Sequence, residues 1–118
     1  MSVHEIAQDL VALCKQGKFE EAGEKYWADN VLSVEPMGDN AESRGKAAVR
    51  GKGEWWVANH EVHGVVVEGP YVNGDQFVVR FKMDMTIKAS GERRTMDEVG
   101  LYTIKDGKIA EERFFYGE

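Results

Sequence analysis

From Gln76 to Lys88 the chain alternates without a break. Phe77, Val79, Phe81, Met83, Met85 and Ile87 fall on one side, and Val78, Arg80, Lys82, Asp84 and Thr86 on the other. A period of two marks a strand with one face buried and one in water. The segments around it supply partners. Gly91 turns the chain into a strand over Arg94 to Ile104, and Asp106-Gly107 is a strong hairpin signal leading into Ile109 to Tyr116. Upstream, Glu61 to Glu68 is rich in β-branched residues and is predicted to end at the turn signal Gly69-Pro70.

The other half of the chain has a helical period. Ser2 with Glu5 forms a capping-box pattern, and Ile6, Leu10, Leu13 and Cys14 make an apolar stripe that predicts a helix from Ser2 to about Gln16. Gly17 ends it. A second helix is predicted from Phe19 to Trp27, with Phe19, Ala22, Tyr26 and Trp27 turned inward, broken by Asp29-Asn30 before a short strand from Val31 to Glu35. Gly38 to Gly45 reads as a polar loop. A third helix is predicted from Lys46 to about Asn59, with Val49, Trp56 and Val57 on one side, although Gly51 and Gly53 each disfavour a helix by about 1 kcal/mol relative to alanine. Helices segregated to one side of an antiparallel sheet make an α+β fold. The expectation is a cone-shaped curved antiparallel sheet with three helices enclosing a pocket, in one domain spanning residues 1–118.

Composition narrows the partners. Fifteen basic against 21 acidic side chains give a net charge of −6, without a Lys/Arg run, a poor match to phosphate backbones or anionic lipid. Neither a nucleic acid nor a membrane is expected as a partner. Cys14 is the only cysteine and sits on an apolar stripe, so it is read as a buried, inert thiol. The N-terminal MSVHEIAQDL lacks a basic and apolar leader pattern, and a cytoplasmic setting is expected.

The chemistry centres on Val34-Glu35-Pro36-Met37-Gly38. Pro36 biases Glu35 toward an extended backbone, and apolar neighbours can lift a carboxyl toward a pKa useful for proton transfer. The competing reading is a carboxylate paired with a donor such as Trp27 or a backbone amide. His60-Glu-Val-His63 has i, i+3 spacing rather than the i, i+4 face of a zinc helix, so neither a metal nor any other cofactor is expected.

Tyr26-Trp27-Ala28-Asp29-Asn30, Val34-Glu35-Pro36-Met37-Gly38, Arg44-Gly45-Lys46-Ala47-Ala48-Val49, Gly69-Pro70 and Asp106-Gly107-Lys108-Ile109, in this order and spacing, resemble the SnoaL-like, nuclear-transport-factor-two-like superfamily. That superfamily includes ketosteroid isomerases and polyketide cyclases. The resemblance implies a cystatin-like roll, a homodimer formed through the outer sheet face, and a pocket for a small apolar organic ligand. It implies that Glu35 is the general base of an isomerase or cyclase working next to a carbonyl, and it places Met96, Glu98, Gly100, Tyr102, Glu112, Phe114, Tyr116, His63, Val65 and Val67 on the inner face. The family's two oxyanion donors are replaced here by Leu10 and by Gly100 or Val99.

The candidate catalytic residues are therefore Glu35, Glu98, His63 and Tyr102. The candidate pocket residues are Trp27, Trp56, His60, Met83, Met96, Glu112, Phe114 and Tyr116. Each has a plainer reading: core packing for the aromatics, a solvated run for Glu111-Glu112-Arg113, and helix-end placement for His60. The alternative function is a non-catalytic ligand-binding or dimeric structural module.

Overall fold

The structure, a computed structural model, describes residues 1–38 and 41–117. Asp39 and Asn40 of the expected polar loop lie outside the described residues.

Helix α1 (Val3–Lys15) starts at the Ser2/Glu5 capping box, in which the Ser2 hydroxyl accepts from the Glu5 amide and the Glu5 carboxylate from the Ser2 amide. It buries Ile6, Ala7, Leu10, Val11 and Cys14. Helix α2 (Phe19–Tyr26) is followed at once by strand β1 (Trp27–Val34). Trp27 thus belongs to a strand, and Asp29-Asn30 does not break the chain. The irregularity signalled by Asp29-Asn30 is instead a shift of register between Trp27 and Leu32 along the neighbouring strand. A short strand β2 (Glu42–Arg44) follows and pairs with Leu32 to Val34.

Helix α3 (Lys46–Asn59) has the predicted bounds. Gly51 and Gly53 have nothing within 4 Å of a built Cβ, so they face open space and their burden is entropic only. Val49 is buried, whereas Val57 is exposed rather than turned to the core.

The remaining strands are β3 (His60–Asn73), β4 (Gln76–Ile87), β5 (Arg93–Lys105) and β6 (Lys108–Phe115). β3 runs straight through Gly69-Pro70, which forms a bulge and not a turn: Glu68 pairs with Arg80 and Tyr71 with Val78, leaving one residue too many on β3. Gly69 has φ +120°, and a Cβ there would lie 3.0 Å from the Val78 carbonyl oxygen, so only glycine fits. The alternation of β4 holds, with Phe77, Val79, Phe81, Met83 and Met85 buried. On its outer face, Arg80 pairs with Asp97 and Arg93 with Asp84, each through two hydrogen bonds.

The six strands form one sheet in the order β2-β1-β6-β5-β4-β3. This corrects the expected architecture in two ways. The sheet is open, with β2 and β3 as free edges, so it does not close into a cone or roll. It is also mixed, because β1 runs parallel to β6. The α+β class with three helices stands. Helix α1 packs across β3 and β4 and α3 against β1 and β2, and the enclosure comes from helices laid on one sheet face.

Candidate functional site

Helices and inner sheet face bound a cavity of about 600 Å³. Its walls are mainly apolar, including Leu10, Phe19, Trp56, Phe81, Met83, Met96 and Phe114. Into it open Glu35, Lys52, Glu98, Tyr102, Glu112 and Tyr116.

Strand register explains the grouping. Phe77 pairs with Tyr102, Tyr102 with Glu112, and Glu112 with Ser33, which sets these four side by side across β4, β5, β6 and β1. The next row holds Val79, Gly100 and Phe114, and the one beyond it Phe81 and Glu98. Glu35 follows Ser33 by two residues, just past the end of β1. Gly100 is what lets the rows close up. A Cβ there would stand 3.0 Å from Tyr102 Cε2, 3.2 Å from Phe114 Cε1 and 3.2 Å from the Tyr102 hydroxyl.

Glu112 is 6% exposed, and both of its carboxylate oxygens accept hydrogen bonds. The Trp27 indole N–H donates to Oε1 at 2.7 Å and the Ser33 hydroxyl to Oε2 at 2.8 Å. Burial raises its pKa, and the Trp27 and Ser33 bonds oppose the rise. The Lys52 ammonium donates to Ser33 Oγ and, at 2.9 Å, to Glu35 Oε1, with Nζ 5.4 Å from the centre of the Phe114 ring. A continuous chain therefore runs from Glu35 through Lys52 and Ser33 to Glu112 and Trp27. Gly23 makes room for its end, since a Cβ there would lie 2.3 Å from Trp27 Cζ2.

Glu98 is the contrasting acid. Burial pushes its carboxyl up to about 7, the charges of Glu35 and Glu112 add to the rise, the charge of Lys52 opposes it, and no hydrogen bond contributes. The Tyr102 phenol, buried against Phe77 with ring centroids 5.0 Å apart, is held well above its ordinary value by burial and then by the Glu112 charge, so it remains a donor. Burial and the charge of Glu35 push Tyr116 up to about 12.

The remaining candidates lie at the margins. His63 is the extra residue of a bulge between Val62 and Gly64 on edge strand β3; it is exposed at the cavity rim, with Nε2 2.7 Å from Thr86 Oγ1. His60 stacks on Trp56 at 4.3 Å with Nδ1 2.7 Å from the Trp56 carbonyl oxygen, and it is not part of the cavity wall. Trp27 lines the cavity, and its indole N–H bonds Glu112 rather than the Glu35 carboxylate of the competing reading.

Lys52 and Ser33 are the site residues that sequence reasoning missed. Each had a signal. Lys52 lies three residues after Val49 and four before Trp56, on the inward stripe of α3, and Ser33 keeps phase with Val31 along β1. Among the described residues no group of three or more His, Cys, Asp and Glu side chains is placed to hold a metal ion, and no helix is long and apolar enough to cross a membrane.

An open mixed sheet with three helices on one face, and acids gathered in an apolar cavity between them, define the class, and residues 1–116 match the SnoaL-like domain family. The chain belongs to that family. It is similar to a protein from Mesorhizobium loti provisionally named a SnoaL-like polyketide cyclase, with carbohydrate phosphatase as a second name. The two are 62% identical over 98% of this chain and 100% of that one, with a TM-score of 0.96. The fold is shared with a provisionally named isomerase from Bacillus subtilis (17% identity, 99% of this chain and 90% of that one, TM-score 0.81). It is shared too with a protein of ketosteroid isomerase-like fold from Catenulispora acidiphila in complex with trimethylamine (19% identity, 83% of this chain and 74% of that one, TM-score 0.70). No curated protein matches the chain.

Proposed function

We propose that this small-molecule-binding domain is an enzyme of the isomerase or cyclase type that moves a proton at a carbon next to a carbonyl. One observation carries the reading: Glu98, pushed up to about 7 and without a side-chain hydrogen bond among the described residues, opens into an apolar cavity that also holds the Lys52-paired Glu35. Two carboxyls with different surroundings divide acid and base roles between them. Glu35 acts as the base. It takes a proton from carbon, the C–H electron pair moves into the enolate, and the proton returns to carbon at the end of the cycle. Glu98 in its protonated form, with the Tyr102 hydroxyl, donates hydrogen bonds to the carbonyl oxygen as charge develops there. His63 at the rim orients the incoming ligand, and Trp56, Met83, Met96 and Phe114 provide the apolar bed. The cyclase name given to the Mesorhizobium loti relative fits carbonyl-adjacent chemistry.

The ion pair between Lys52 and Glu35 favours the rival, a non-catalytic binding domain, because it occupies one of the two Glu35 carboxylate oxygens. Hydrogen exchange separates the two readings. Apolar cyclic ketones are incubated with the protein in D2O and loss of α-protons is followed by NMR. Wild type should exchange at least one ketone well above the rate in buffer with free acetate, and Glu35→Gln should lose that excess while still binding the ketone. Binding without any excess exchange leaves the binding domain.

A further inference from the structure

A cation stands beside Glu35: Lys52 Nζ lies 2.9 Å from its Oε1. An ammonium carries three N–H donors. Ser33 Oγ and Glu35 Oε1 take two of those on Lys52, the Phe114 ring stands 5.4 Å from Nζ, and no oxygen among the described residues takes the third. Its side chain is 26% exposed and lines the cavity. Ser33, itself fully buried and donating to Glu112, fixes the ammonium from behind.

We propose that Lys52 is a catalytic residue that binds the substrate's carbonyl oxygen and follows the negative charge from Glu35 to that oxygen during proton transfer. The inference rests on the proton-transfer reading above. Glu35 begins as a carboxylate paired with Lys52. When it takes the proton from carbon, the C–H pair becomes the C=C π bond, the carbonyl π pair moves to oxygen, and Glu35 becomes neutral. The ammonium thus loses one anionic partner at the moment an enolate oxygen appears next to it, and the ion pair is exchanged rather than broken. Ser33 and Glu112 are positioning residues that hold the ammonium through the exchange.

The test uses 2-naphthol, an aromatic enol whose anion copies an enolate, with naphthalene as the uncharged control. Glu35→Gln imitates the protonated base. In that variant bound naphthol should ionise at a lower pH than it does in water. Adding Lys52→Met should erase about tenfold to a hundredfold of the preference for the anion over the neutral form. Lys52→Gln, which keeps a neutral donor, should erase the same preference, and it serves if the methionine variant does not fold. Naphthalene affinity should stay the same throughout. A preference for the anion that survives both substitutions, or that is absent in Glu35→Gln while naphthalene binds, overturns the role of Lys52 and leaves the cavity reading standing. Failure of both naphthol and naphthalene to bind any folded variant overturns the cavity reading and this inference with it.

Discussion

Glu98→Gln should stabilise the protein at alkaline pH and not in acid. The carboxyl moves from an ordinary 4.5 to about 7 on folding, chiefly through burial. A raised carboxyl pKa means that the folded chain holds the proton more tightly than the unfolded one. Stability is therefore highest below 4.5, declines as pH rises from 4.5 to 7, and is flat above, where both states are ionised. The gap corresponds to about 3 kcal/mol, at about 1.4 kcal/mol per tenfold change. Water entering through the cavity mouth reduces it toward about 2. Glutamine keeps the shape and does not titrate.

Urea unfolding of both proteins at pH 4.5, 6 and 8 reads the difference. The variant should gain about 2–3 kcal/mol on wild type between the ends of the series, which is a relative midpoint change of about 1 M or more at a typical urea slope. Glu112 titrates in both proteins and cancels to first order. A stability gap that does not change with pH would refute the reasoning, because it would mean that Glu98 titrates as a solvated acid. The same group predicts a rate effect. Ketone exchange by wild type should fall as pH rises through about 7, where the Glu98 hydroxyl donor is lost, while Glu98→Gln keeps an amide donor and stays flat across that range.

Gly23→Ala places a methyl within 2.3 Å of the Trp27 ring, so the indole must leave Glu112; about 2–4 kcal/mol of stability should be lost, with a change in native tryptophan fluorescence. Cys14, pushed up to about 12 by burial and then by the Glu112 charge, should resist thiol–disulfide reagents at pH 8 in the native protein and react quickly in urea. The expected homodimer, joined through the outer face that carries the Arg80–Asp97 and Arg93–Asp84 pairs, should sediment at twice the chain mass and weaken in high salt; a monomer at every concentration would refute it.

What could be read from the sequence was what local chemistry decides. The alternation of Phe77 to Met85 and the Ser2/Glu5 box each fix an element without help from distant residues, and the structure keeps both. What could not be read depends on partners far along the chain. The parallel pairing of β1 with β6 joins Ser33 to Glu112, 79 residues apart, and no local pattern announces it. Gly69-Pro70 has a turn's composition, but it is absorbed as a bulge because β4 continues alongside it. Site residues followed the same division. The family resemblance, consistent with period two, put Glu112 on the inner face with Phe114, although Glu111-Glu112-Arg113 looks like a solvated run. Lys52 lies between two glycines that disfavour a helix, and only the fold shows that those glycines lie in open space.

Stability alone does not account for this interior. A fully buried serine and a nearly buried glutamate occupy the row that Phe77 and Tyr102 begin, where apolar side chains would extend the core. Replacing such a buried polar chain with well-packed apolar residues is commonly neutral or stabilising. The fold instead orders Trp27, Ser33 and Lys52 around Glu112 and Glu35, and leaves the Glu98 carboxyl, on the same face, without a hydrogen bond among the described residues. Burial and the neighbouring charge of Glu35 are unfavourable for the ionised form of that last acid and push its carboxyl up to about 7. Two acids tied into one chain of donors, and a third left free beside them, form an asymmetry that apolar packing does not need and that the proposed proton transfer would use.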